Sequence, residues 1–225
     1  MRKWGIVISV FYAVIVLGLL IPAAIPMGGW GSPFSQEFCE NLRDLYSIWQ
    51  VWLPIAAVLA GQATLLFLSV DTSFKKLKPR AHIAVSVTVS SMLAAILAVA
   101  AFYCVDSAVW GDKFGDSYHL GTMAGVFGLW GALWVLWGIV FYLYFRNSNR
   151  VTERAVSWLL KGSVLELLIA VPCHVIVRRR HDCSAPVVTS FGIVTGIAVM
   201  LLCFGPSVLL LYKKRLDAYS AHNSA

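Results

Sequence analysis

Charge is what this sequence has least of. Only 13% of its 225 residues are charged, and the acids number eleven, where a soluble domain of this size carries about a quarter charged residues. That shortage leaves little room for a separate soluble domain. Catalytic signatures are missing as well: there is no P-loop, no G-x-G-x-x-G, no H-E-x-x-H, no G-x-S-x-G and no acidic metal pair. Without such a set, the chain reads as non-enzymatic. The five cysteines include no C-x-x-C, which argues against a thiol oxidoreductase. No internal repeat stands out, and the apolar segments do not divide into two matching triplets with paired broken helices. An inverted-repeat transporter is therefore not supported.

What the sequence has is apolar length. Hydrophobic residues make up 59% of the chain, mean hydropathy is +0.76, and the apolar residues fall in runs of about 20 or more, enough to cross a hydrocarbon core. Six spans follow: 4–26, 47–70, 81–105, 119–145, 154–177 and 185–212. These are continuous runs rather than short alternating segments, so an all-α membrane bundle is expected and a barrel is not. Residues 1–215 make one polytopic transmembrane domain, and 216–225 make a short polar tail, expected to be disordered. The basic start and the first apolar run could be a signal peptide. The run is longer than a usual signal core and no clear cleavage site follows, so it is taken as the first span.

Orientation comes from the basic residues. With both termini in the cytoplasm, the inner segments hold Arg2, Lys3, Lys75, Lys76, Lys78, Arg80, Arg146, Arg150, Arg154, Lys213, Lys214 and Arg215, and the outer loops hold Arg43, Lys113 and Arg178–Arg180. This follows the positive-inside rule and suggests a bacterial inner membrane. The same clustering beside spans explains the net charge of +7 without nucleic acid and makes membrane lipids the expected partners. The fifth span carries Lys161, Glu166 and His174. If 154–177 does not cross, five spans remain and the charge count is equally good. Six is preferred because Lys161 can snorkel and because Cys39, Cys104, Cys173 and Cys183 then all lie at the outer face, as an oxidising compartment favours.

The segment "VPCHVIVRRRHDCSAP", residues 171–186, concentrates the candidate chemistry. Arg178, Arg179 and Arg180 offer bidentate bonds to phosphate or carboxylate, and insertion disfavours them on the outside. They are therefore expected to bind anionic lipid or a partner protein, or to be neutralised locally by Asp106, Asp112, Asp116 and Asp182. On an ideal helix Glu166 projects within about 80° of His174 and about 120° of Arg178, so both are placed on the approach. Alternatively Glu166 pairs with Lys161 or a neighbouring hydroxyl. Cys173–Cys183 and Cys39–Cys104 are candidate disulfides, although four cysteines allow three connectivities. A redox or metal-handling alternative uses Cys173, His174, His181 and Cys183 for zinc or copper, or His119 and His174 for a haem. The spacing matches no standard zinc pattern, and no cofactor or metal is expected. A small-ion or proton route along the Glu166 face is a third reading.

Two glycine seams predict close helix approach: Gly121, Gly125, Gly128 and Ala132 in the fourth span, and Gly192 and Gly196 in the sixth. Either face could join copies of the chain. The Trp130, Trp134, Trp137 stripe is expected in packing or lipid contact.

Overall fold

The computed structural model describes residues 2–24, 36–47, 49–70, 80–111, 123–145, 151–180 and 185–223. Within them the chain is all helical: α1 (Arg2–Ala24), α2 (Gln36–Ser47), α3 (Trp49–Val70), α4 (Arg80–Trp110), α5 (Met123–Phe145), α6 (Val151–Arg179) and α7 (Ala185–Asn223). Helix is forced where apolar backbone must satisfy its own hydrogen bonds. Five segments are long and apolar enough to cross a membrane: Val51–Leu68, Ile83–Trp110, Ala124–Phe145, Val151–Arg179 and Ala185–Phe204. α1 adds a shorter apolar stretch, Ile6–Leu20. The molecule is a helical membrane bundle, and α6, the span on which the five-span alternative turned, is among the helices long and apolar enough to cross.

α4 touches α3, α5, α6 and α7 and is the centre of the bundle; α6 packs broadly on both α4 and α7. Its composition suits that position, because Ala94, Ala95, Ala98, Ala100 and Ala101 keep its surface thin enough for neighbours on several sides. α4 stops at Gly111, whose φ of 59° is the left-handed conformation that glycine supplies at a helix end.

Buried side chains stack in three layers along the helices. Val87, Phe141, Phe145, Val151 and Ala155 pack where α5 ends and α6 begins. The middle is filled from α1, α3, α4, α6 and α7, with Val16, Leu65, Leu93, Leu159 and Leu202 among its members. Cys104, Ala108, Ala170, Cys173, Val177 and Ala185 close the far end. Leu20 at the end of α1 packs with Val194 near that same end of α7. Arg178–Arg180 therefore lie at the opposite end of the bundle from the N-terminus, as six crossings require.

Two features differ from expectation, and a third, the tryptophan stripe, packs as expected but in separate places. α2 is a separate helix where a plain loop was expected. It is tied to its neighbours by Tyr46 Oη, which donates to the Leu20 carbonyl at 2.6 Å, and by Trp52 Nε1, which donates to the Tyr46 carbonyl at 2.8 Å. Burial raises the Tyr46 phenol above its ordinary pKa, keeping it a donor. Second, α7 runs on to Asn223, so residues 216–223 are helical rather than disordered. Leu216, Ala218 and Ala221 favour helix, and no glycine or proline interrupts 207–223. Third, the tryptophan stripe is divided. Trp130 packs against the middle layer and Trp137 against the layer beside Phe141. Trp134 donates from Nε1 to the Thr88 carbonyl at 3.1 Å and lines a groove of about 420 Å³ between α4 and α5.

Candidate functional site

α6 buries Leu159, Ser163, Glu166, Ala170, Cys173 and Val177. Their spacings alternate between four and three residues, so they form one continuous seam on a helix. Five are the small or apolar residues such a seam needs; Glu166 is the exception. It has no exposed surface at all, and neither carboxyl oxygen has a hydrogen-bond partner.

Room for this carboxyl comes from α7. A methyl group placed on Gly196 would collide with Glu166 Oε2 and lie 2.9 Å from Leu167 Cγ. One placed on Gly192 would lie 3.5 Å from Glu166 Oε1 and 3.7 Å from the Ala100 carbonyl of α4, and it would collide with Cys104 Sγ. The two glycines thus form a cradle, with Glu166 from α6 and Cys104 from α4 resting over them. Glycine is required at both places because a Cβ would occupy the space these side chains fill. The groove at Gly192 and Gly196 is filled from within the chain.

A second polar group lies toward the arginine end. His174 Nδ1 sits 2.8 Å from Thr189 Oγ1, which in turn lies 3.2 Å from the Ala185 carbonyl and 3.1 Å from the Pro186 carbonyl. The hydroxyl has one proton and two carbonyls to give it to. When it donates there, it accepts from His174, so Nδ1 carries the hydrogen and neutral His174 keeps Nε2 as an acceptor. The thiol of Cys104 reaches the Thr189 carbonyl at 4.0 Å, linking this group to the cradle. Ser107, on the same helix as Cys104, is buried with its hydroxyl unpartnered.

The expected site residues therefore separate. Arg178, Arg179 and Arg180 are exposed at the end of α6. His174 is half-buried against α7. Glu166 lies about 12 Å from His174 and about 18 Å from Arg178 along the helix axis, at 1.5 Å per residue. Glu166 and His174 do share the α7-facing side of α6, but the carboxyl is sealed under glycine and does not line an approach to the arginines. Nor does it pair with Lys161, which is exposed and extends toward Trp158, its Nζ 6.0 Å from the ring centroid.

The disulfide expectations also need correction. Cys104 and Cys173 are free thiols. Cys104 and Cys173 point into the α4–α6–α7 interface and pack together in one apolar cluster, not toward the loops that carry the expected partners. The side chain of Cys39, and His119, His181 and Cys183, lie outside the described residues. Among the described residues, no group of three or more His, Cys, Asp or Glu side chains could hold a metal ion.

Cys104, Thr189, Gly192 and Gly196 are what reading the sequence for chemistry missed as one unit. The available signal was the G-x-x-x-G of α7 facing a seam on α6 that places a glutamate among small residues. Comparison with family models, curated proteins and solved structures gives no match, so function must be argued from these residues.

Proposed function

We propose that this protein is a non-enzymatic component of a bacterial inner membrane whose Arg178–Arg180 cluster holds the headgroup of an anionic phospholipid at the outer surface, with both termini inside. The observation that supports it is the state of the three arginines. All are exposed, and none pairs with an acid among the described residues. The one acid on the α7-facing side of α6, Glu166, is buried out of reach. Two arginines in the last turn of α6 gain some stabilisation from the helix dipole, about 0.3–1 kcal/mol each. That leaves their guanidinium forks available to phosphate, for which planar bidentate geometry is suited. His174 is one turn below Arg178 and adds a polar edge to the same surface.

The test replaces Arg178, Arg179 and Arg180 with Gln and measures phosphatidylglycerol retained by the purified protein by native mass spectrometry. A basic residue near an anionic surface contributes about 1 kcal/mol, so the triple variant should lose retention by up to about a hundredfold. Unchanged retention would reject the lipid reading. If retention is unchanged while a cross-linked protein neighbour is lost, the arginines bind a partner's acids instead. Labelling of Cys183 in intact cells checks the sidedness, which fails if only cytoplasmic reagent reaches it.

A further inference from the structure

An unpartnered carboxyl in the middle of a membrane bundle needs a counter-charge or a proton. Around Glu166 the candidates can be named from each packed helix. α4 brings the Cys104 thiol, with the Ala100 carbonyl close to Gly192, and α7 brings the backbone at Gly192 and Gly196. On α6 itself, Cys173 is buried toward α4, His174 is committed to Thr189, and Lys161 is turned to Trp158. No cation among the described residues faces the carboxyl. An isolated ionised carboxylate in a low-dielectric interior is so unfavourable that the group neutralises instead. Among the described residues, Glu166 also belongs to no group of three or more His, Cys, Asp or Glu side chains that could hold a metal ion.

We propose that Glu166 is a reversible proton-binding site, held in the α4–α6–α7 interface by the Gly192/Gly196 cradle and served from the arginine end. On that side His174 is bonded to the Thr189 hydroxyl and the Cys104 thiol to the Thr189 carbonyl, and Cys104 and the carboxyl lie together over Gly192 with no hydrogen bond between them. Two independent features support it. The carboxyl is completely buried with both oxygens unpartnered. In addition, the facing helix has glycine at the two positions where any side chain would collide with the carboxyl or with the thiol next to it. The event itself is simple: the carboxylate takes one proton to become the neutral acid, and the same proton returns to solvent when the interface opens. No bond other than O–H is made or broken. The site does not depend on the arginines binding lipid.

The experiment uses the full-length protein in detergent micelles. Dicyclohexylcarbodiimide, an apolar reagent selective for protonated carboxyls in apolar surroundings, is added across a pH series, and the modified residue is located by peptide mass spectrometry. Glu166 should be labelled at neutral pH, less so as the pH rises, and not at all in Glu166→Gln. Acid-minus-alkaline infrared difference spectra should show a protonated-carboxyl band that this variant loses. Because the wild type is titrated directly, a misfolded variant does not blunt the test. Gly196→Ala gives a second reading: its methyl displaces the carboxyl, so both the labelling and its pH profile should change. Absence of labelling and of a titrating band in the folded wild type would overturn the proposal. Protection by sodium at constant pH would also overturn it, since that would identify a metal-cation site.

Discussion

α5 and α7 both carry glycine at short helical spacing, yet the bundle uses them in opposite ways. Only 6% of the apolar window of α5 is buried, against 50% for α7, so α5 is the peripheral helix and α7 an interior one. A methyl added at Gly128 or Gly131 on α5 would meet nothing within 4 Å. On α7, methyls at Gly192 and Gly196 would collide with Cys104 and Glu166. Lipid tails are as apolar as the side chains of α5, so nothing drives that surface inward, and Val135, Leu136, Ile139 and Leu143 remain exposed to them. What separates the two helices is what faces them: α7 meets a carboxyl from α6 and a thiol from α4, and both need space. A glycine spacing alone does not say whether it receives a helix from the same chain, another chain or lipid.

The largest expected effect comes from filling the cradle. Gly196→Ala forces a methyl against Glu166 Oε2 and Leu167 in a fully packed interface, and overpacking of this kind costs about 1–3 kcal/mol. Thermal unfolding of the detergent-solubilised protein should shift downward accordingly. Gly61→Ala is the intermediate case, since its methyl would lie 3.3 Å from Leu93 Cδ2, the flexible end of a side chain that can give way. A melting temperature as low for Gly61→Ala as for Gly196→Ala would remove the special status of the cradle.

Cysteine accessibility sharpens the contrast further. Cys104 and Cys173 face the same interface as Glu166, with 0% and 8% of their surface exposed. Alkylation of the native protein with N-ethylmaleimide should leave both unmodified, and denaturation should release both as free thiols without a reductant. If reduction is needed, the corrected disulfide assignment returns.

The helical class of the fold was legible in the sequence because a membrane makes apolar length nearly sufficient evidence of helix. The six apolar segments coincide with α1 and α3–α7 apart from their ends. α2 was less visible. Its Phe38, Leu42 and Leu45 recur at i, i+4 and i+7 among charges, but twelve residues between two long spans are easily taken for a loop. For the site, the angular relation of Glu166 to His174 followed from helical geometry. What they face did not, because the register of α6 against α7 depends on side-chain fit and leaves no mark on either segment alone. The same limit applies to the cysteines: proximity in sequence to the arginine end suggested bridged loops, while their positions on the seam turn them into the core.

The smallest effect belongs to the open seam, and it asks whether α5 is alone. Gly128→Ala meets no atom of its own chain, and alanine is favoured over glycine in a helix interior by about 0.5–1 kcal/mol. In a protein where lipid alone covers α5, this substitution should leave the melting temperature unchanged or raise it slightly. If Gly125 and Gly128 instead seat the matching helix of a second copy, the methyl separates the two backbones at their closest approach. Chemical cross-linking or light scattering would then show loss of a dimer present in the wild type, although the isolated chain is no less stable. The two results differ for assembly, no change against loss of a dimer, and agree for the monomer. A comparison of Gly128→Ala with Gly196→Ala therefore tells a surface kept smooth for another helix from one that lipid merely covers.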